Sequence, residues 1–453
     1  MRHERGRARP RSAKGIAPLL RRLQTLPPGV IRSARAALVY FGTSAVNAVL
    51  PLLLLPLLTT HLTPADYGTV ALFQAIALLA SVLTHCGMAS TVMRSLTVGP
   101  EGERRDYLAS ALVVIGVCAS AATLASWPLG LVLGPAAGFS DGWFVLAIAT
   151  GGFMSFNQIF PVVLQARHEA FAFAIVQIAT AVLNLCLTLV LVVGLDKGWQ
   201  GRSAAIAATY LVMSLVSLGV MLARRDIGLP RRRHVVDALK LGGSTLPHTL
   251  LNTAMTVGDR FLLSFFFSDA VVGIYAAASQ MASGLLFIGM AIHGAIQPTA
   301  MRMIAAAKTE AQRRRLGKIA LWLTAMIVTM ALVYMVLVFL FAERFINPRF
   351  HGFLEYFYLL GFAAILQSVY FPFSYALFYY RATRLLAATG VALAAVFMAV
   401  ALAGIFLFGS VGVSLGIVAA RGGLLAVAVI WSIRLTSLPQ RGRGMVPVAQ
   451  ATG

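Results

Sequence analysis

Apolar residues run through this chain in blocks of about 20, the length a helix needs to cross the hydrocarbon core of a bilayer at 1.5 Å per residue. Twelve such blocks are legible, near 36–58, 67–93, 107–133, 143–165, 171–194, 203–223, 241–267, 271–297, 317–341, 354–378, 385–407 and 411–433. Most connections are short, so neighbouring helices should run antiparallel. The pattern predicts an all-α integral membrane protein with about 12 transmembrane helices. Prolines fall inside several blocks (Pro51, Pro56, Pro161, Pro247, Pro372). Each frees a backbone carbonyl and kinks its helix, which is tolerated where protein or water can satisfy the backbone.

The stretch 240–275 breaks the apolar pattern and opens a second half. Its Gly243-Ser244-Thr245 start echoes Gly42-Thr43-Ser44 in the first block, and both copies carry an internal Asn and proline. Both then reach an acid and a glycine as the next block begins: Asp66-Tyr67-Gly68 against Asp269 and Gly273-Ile274-Tyr275. An even number of blocks separates the copies, which predicts a parallel six-plus-six repeat. Small-residue composition alone also produces matches between apolar helices. The organisation read from the pattern is a basic cytoplasmic tail (1–35), an N-terminal six-helix bundle (36–223), a basic linker (224–240), a C-terminal six-helix bundle (241–434) and a cytoplasmic tail (435–453).

Composition agrees with a membrane protein: 59% of the 453 residues are hydrophobic and 11% charged, where a soluble chain carries about 25% charged residues. The formal charge of +22 would suit nucleic acid, but its placement argues otherwise. Of the 37 Lys and Arg, 31 fall on alternate connections with the two tails, 4 on the others, and Arg260 and Arg421 inside spans. That asymmetry is the positive-inside pattern and predicts a bacterial inner-membrane protein with both termini cytoplasmic. The first 35 residues hold ten Lys/Arg and no apolar core of a cleavable signal. Cys86, Cys118 and Cys186 lie in apolar runs without metal-ligand spacing.

Asp259 and Arg260 sit within the seventh block, 19 and 20 residues beyond Lys240. Ionised groups inside a span are costly and read as functional by default. The plainer alternative is a helix end among headgroups.

The first hairpin (LPLLLLPLLTTHLTPADYGTVALFQ), the stretch DRFLLSFFFSDAVVGIYAAASQM and the AIQPTAMR end of the eighth span resemble the polysaccharide flippases, the O-antigen (Wzx-type) branch of the multidrug/oligosaccharidyl-lipid/polysaccharide exporter (MOP) superfamily. The resemblance spans most of 36–433 and is one of pattern. It implies a MATE-like fold of two six-helix bundles around a central cavity. It further implies alternating access that turns over an undecaprenyl-diphosphate-linked oligosaccharide for lipopolysaccharide O-antigen or exopolysaccharide assembly. Other polysaccharide-assembly proteins are then candidate partners beside membrane lipid.

A diphosphate needs fixed cations in an enclosed site. Arg421 is the first candidate, flanked by Gly422 and Gly423, which admit close approach. Arg260 is the second, with Asp259 limiting the charge of the empty site. Pairing of Arg421 with an acid for assembly is the structural alternative. His85, His248 and His293 could donate to phosphate or relay protons, or simply bond between helices. Arg94 and Arg302 occupy matching span ends and could form an entrance or act as positive-inside anchors. Asn47, Gln74, Asn157, Gln158, Gln165, Gln177, Asn184, Asn252, Gln280, Gln297 and Gln367 could contact sugars or serve as interhelical glue.

No phosphate loop or HExxH is present, so a transporter rather than an enzyme is expected, with no cofactor beyond H⁺ or Na⁺ coupling. Three rivals remain. A drug/cation exporter of the same superfamily should place carboxylates in its cavity. A membrane glycosyltransferase or ligase needs a long outward loop. A scaffold would recruit enzymes through its basic tails.

Overall fold

The computed structural model describes residues 28–136, 141–307, 309–380 and 383–437. The expectations for 1–27 and 438–453, most of the two tails, fall outside them. Thirteen α-helices follow among the described residues: α1 (Pro28–His61), α2 (Pro64–His85), α3 (Met88–Val98), α4 (Arg104–Ala136), α5 (Asp141–Ala166), α6 (Ala170–Thr188), α7 (Gly198–Ala223), α8 (Arg232–Phe266), α9 (Asp269–Ala306), α10 (Glu310–Phe345), α11 (Phe353–Tyr379), α12 (Thr383–Phe408) and α13 (Val411–Ser437).

Ten helical stretches among the described residues are long and apolar enough to cross a membrane. In α1 the apolar segment is the shorter Ala45–His61, and α8 is diluted by the polar residues of its 35-residue length. Counting α2 and α3 as one crossing, the set is consistent with the twelve expected.

The second crossing differs from an unbroken span over 67–93. It stops at Cys86 and Gly87, both in left-handed backbone conformation (φ 47° and 71°), and resumes as α3. Packing explains the break: Gly242 of α8 sits against it, and a Cβ there would fall on the Cys86 carbonyl. A left-handed position with backbone at its surface favours glycine, which Gly87 supplies.

Within the first half α2 and α4 pack on α5, and α5 on α7; within the second, α9 packs on α11 and α13 on both α11 and α12. The halves meet where α2 crosses α9. There Gly68 and Gly273 let the two backbones touch: a Cβ on Gly68 would fall on the Asp269 carbonyl, and one on Gly273 on the Pro64 carbonyl. The repeated acid-and-glycine motifs of the two halves thus meet each other. The Tyr67 hydroxyl donates to Gln280 Oε1 (2.8 Å), and Gln280 Nε2 donates to the Pro51 carbonyl, tying α9 to both α1 and α2. Asp66 has a local role: Thr63 Oγ1 accepts from the Asp66 N–H (3.1 Å) and Asp66 accepts from the Thr63 N–H (3.1 Å), a capping box followed by Pro64 in the first turn.

The basic segment ahead of α8 is anchored to the first half. Arg231 pairs with Asp106 (2.7 Å) and Arg233 with Glu103 (2.6 Å). Asp106 also accepts from the Leu229 N–H (3.0 Å), and Tyr107 donates to Asp237 (3.2 Å).

Candidate functional site: a cationic, amide-lined cavity between the halves

Between the halves lies a cavity of about 940 Å³. Its wall comes from α1, α2, α3, α5, α6 and α7 on one side and from α8, α9, α11 and α13 on the other. Helices α4, α10 and α12 contribute no lining residue among those described.

Four lining residues carry charge: Arg202, Asp259, Arg260 and Arg421. Asp259 is buried, and its carboxylate is fully engaged. It accepts from the Tyr275 hydroxyl (2.6 Å), from the Arg260 backbone N–H (2.8 Å) and from Arg260 Nη1 (3.2 Å). Arg260 Nη1 also donates to the Thr256 carbonyl (3.1 Å), which folds the guanidinium back along α8 while part of it stays exposed. Arg421 Nη1 donates to Gln367 Oε1 (2.8 Å) across α13 and α11. No carboxylate lies within ion-pair distance of Arg421 among the described residues. Gly423 makes room for Leu393 beside it, since a Cβ would come within 2.6 Å of that side chain.

Arg202 was not anticipated as a cavity residue, because its place four residues after Gly198 reads as an outer connection. Helix α7 begins at Gly198, so Arg202 lies one turn inside, buried, with Nη1 donating to Asn184 Oδ1 (2.8 Å) and Thr188 Oγ1 (2.6 Å). Beyond Thr188 the last turns of α6 widen into a π-helical segment, Leu189–Gly194, a feature often found beside functional groups. The apolar Trp199 just before it was the available signal.

Of the eleven amides named from the sequence, nine line the cavity; Asn252 and Gln297 do not. Asn47 projects from α1 one turn before Pro51, and Gln158 also donates to Ser81 Oγ (3.0 Å) on α2, so that amide both lines and binds.

The other named residues whose side chains are described stand apart from this wall. His85 is buried at the end of α2. His293 stacks on Phe371 and Tyr375 (centroids 4.5 and 5.3 Å), with Nδ1 3.3 Å from the Tyr375 hydroxyl. Asn252, Arg94 and Arg302 are exposed outside the cavity. The side chain of His248 lies outside the described residues. Among the described residues no cluster of three or more His, Cys, Asp or Glu could hold a metal ion.

A family model described as "Polysaccharide biosynthesis protein" matches residues 33–304, more than half of the chain. No curated protein matches the sequence. Among solved structures, an inward-facing MATE-family multidrug transporter of the MOP superfamily superposes with a TM-score of 0.67 at 18% identity, covering 87% of this chain and 96% of its own. The outward-facing form of a MATE-family transporter of the MOP superfamily gives 0.58 at 16% identity over 89% and 95%. A Vibrio cholerae MATE transporter in its bent form gives 0.53 at 16% identity over 90% and 98%. The chain belongs to the polysaccharide biosynthesis protein family and has the fold of the MATE transporters of the MOP superfamily.

Proposed function

We propose that this protein is an inner-membrane flippase that carries a polyprenyl-diphosphate-linked oligosaccharide from the cytoplasmic to the outer leaflet for surface or exopolysaccharide assembly. The observation that carries the proposal is the charge and chemistry of the cavity: three guanidiniums against one carboxylate, among nine side-chain amides. Guanidinium forks suit phosphate oxygens. Amides offer both donors and acceptors to sugar hydroxyls. The lipid tail needs no polar wall and can stay in the bilayer.

With both termini in the cytoplasm, as the Lys/Arg asymmetry favours, the glycine seam would lie on the outer side and the cavity would face inward, where a lipid-linked precursor would be loaded. The cavity offers little to a cationic drug, because its one carboxylate is taken up by Tyr275 and Arg260. An inside-negative potential would assist export of a dianionic headgroup by about 2.3 kcal/mol per charge per 100 mV if no cation accompanies it.

The test is flipping of a lipid-diphosphate oligosaccharide in liposomes, with potential and pH clamped separately. Arg421→Gln, which keeps a polar partner for Gln367, should reduce flipping at least tenfold with normal protein yield. Full activity in that variant would sink the proposal. Indifference to voltage would remove the electrophoretic drive.

A further inference from the structure

Arg202 leaves an unbalanced charge at the heart of the molecule. The residue is 8% exposed, its Nη1 partners are both neutral, and its Nε has no hydrogen-bond partner. A guanidinium stays protonated at any physiological pH, and a buried charge without a counter-charge is strongly unfavourable. A second, smaller cavity of about 60 Å³ lies at the seam between the halves, and Arg202 from α7 and Arg260 from α8 both line it. Tyr67, Gln74 and Gln280 complete its polar wall. Asp259 answers the charge of Arg260; among the described residues nothing answers that of Arg202.

We propose that this small cavity binds one inorganic anion, of chloride to phosphate size, held between Arg202 and Arg260. A single water needs about 10–15 Å³ on this measure, so 60 Å³ accepts an anion of a few heavy atoms and is too small for a glycosylated diphosphate. The ligand is contributed to by both halves, so its binding draws α7 toward α8 and holds the seam shut. Gln280 donates to Pro51 and accepts from Tyr67, which leaves its second amide N–H to join the site. The small cavity shares Arg202, Arg260, Gln74 and Gln280 with the wall of the large one, so the test is read without any lipid-linked substrate present.

Thermal unfolding of the purified full-length protein in nanodiscs, without lipid-linked substrate, tests it. At constant ionic strength, sodium gluconate, too large for the cavity, is replaced stepwise by chloride in one arm and by inorganic phosphate in the other. The unfolding temperature should rise saturably with at least one of them. Response to chloride identifies a halide counter-ion, and response to phosphate alone a phosphate site. Arg202→Gln should abolish the dependence. Arg202→Lys keeps the charge but not the fork, guards against failure to fold, and should raise the half-saturating concentration by about tenfold. Absence of a saturable response in the unmodified protein, or an unchanged response in Arg202→Lys and Arg202→Gln, overturns the proposal. Neither result bears on flipping, which the assay does not contain.

Discussion

Replacing Gly273 tests whether the seam between α2 and α9 depends on backbone contact. At an open helical position alanine is favoured over glycine by about 0.8–1.0 kcal/mol. Gly273 is not open. Beyond the Pro64 carbonyl oxygen, its Cβ would stand 2.8 Å from the Pro64 carbonyl carbon and 2.8 Å from the Gly68 nitrogen. These are main-chain atoms, so no side chain can rotate away, and the two helices must separate until the Pro64 carbonyl oxygen, nearer than either of these atoms, is cleared. Overpacking of this kind costs about 1–3 kcal/mol, and rigid partners place Gly273 toward the upper end. After the gain in helix propensity, Gly273→Ala should disfavour the closed seam by about 1–2 kcal/mol, a fall of roughly 5- to 30-fold in the closed-to-open ratio.

Spin labels at Lys197 and Arg349, exposed residues on the connections at the seam's end of each half, report the separation in a background lacking the three cysteines. Gly273→Ala should add a longer-distance population, and Gly273→Val should make it dominant. Gly219→Ala is the control, since a Cβ there meets nothing within 4 Å, and its distribution should be unchanged. Identical distributions for Gly273→Val and the unmodified chain would refute the reasoning.

Other consequences are equally direct. Asp259→Asn removes the negative charge beside Arg260 and replaces one of the two acceptor oxygens that serve Tyr275 and Arg260 with an NH2 donor, so the unfolding free energy should fall by about 3 kcal/mol; Tyr275→Phe should cost about 1–2 kcal/mol. Denaturant titration in mixed micelles separates the two, and equal effects would contradict the ion pair's larger share. The Cys86 and Cys118 sulfurs lie 3.8 Å apart and need to close to about 2.05 Å to bond, so mild oxidation should consume two thiols and join α2 to α4. Survival of both thiols under conditions that oxidise Cys186 would count against this packing. Asp106→Ala removes the acceptor of Arg231 and of the Leu229 N–H and should expose the segment before α8 to trypsin; unchanged cleavage would mean that the anchoring is dispensable.

The crossings were legible because runs of apolar residues record the bilayer directly. The break at Cys86-Gly87 was not, because its cause is Gly242, 155 positions away in the chain. The repeat showed that 66–68 and 269–275 correspond, yet nothing in either copy announces that the two glycines touch. Among polar residues the sequence named the candidates and left them unsorted. Asn184 and Asn252 look alike as letters in apolar runs, and only packing sets one in the cavity wall and the other outside it. Arg202 was hidden by helix length: α7 starts one turn earlier than hydropathy alone suggests, and that turn carries the charge inward. His293 sits in an aromatic stack and is not part of the cavity wall, a placement that its position in an apolar run does not reveal.

The pinning of α8 has a mechanical corollary. Its early turns belong to the first half through Arg231, Arg233 and Asp237, while Asp259 and Arg260 face the cavity with the second. The halves are therefore not joined by slack tether. Any rocking of one against the other has to be absorbed inside a single rod, and Pro247, where the main-chain ladder is already one rung short, sets how far that rod can flex.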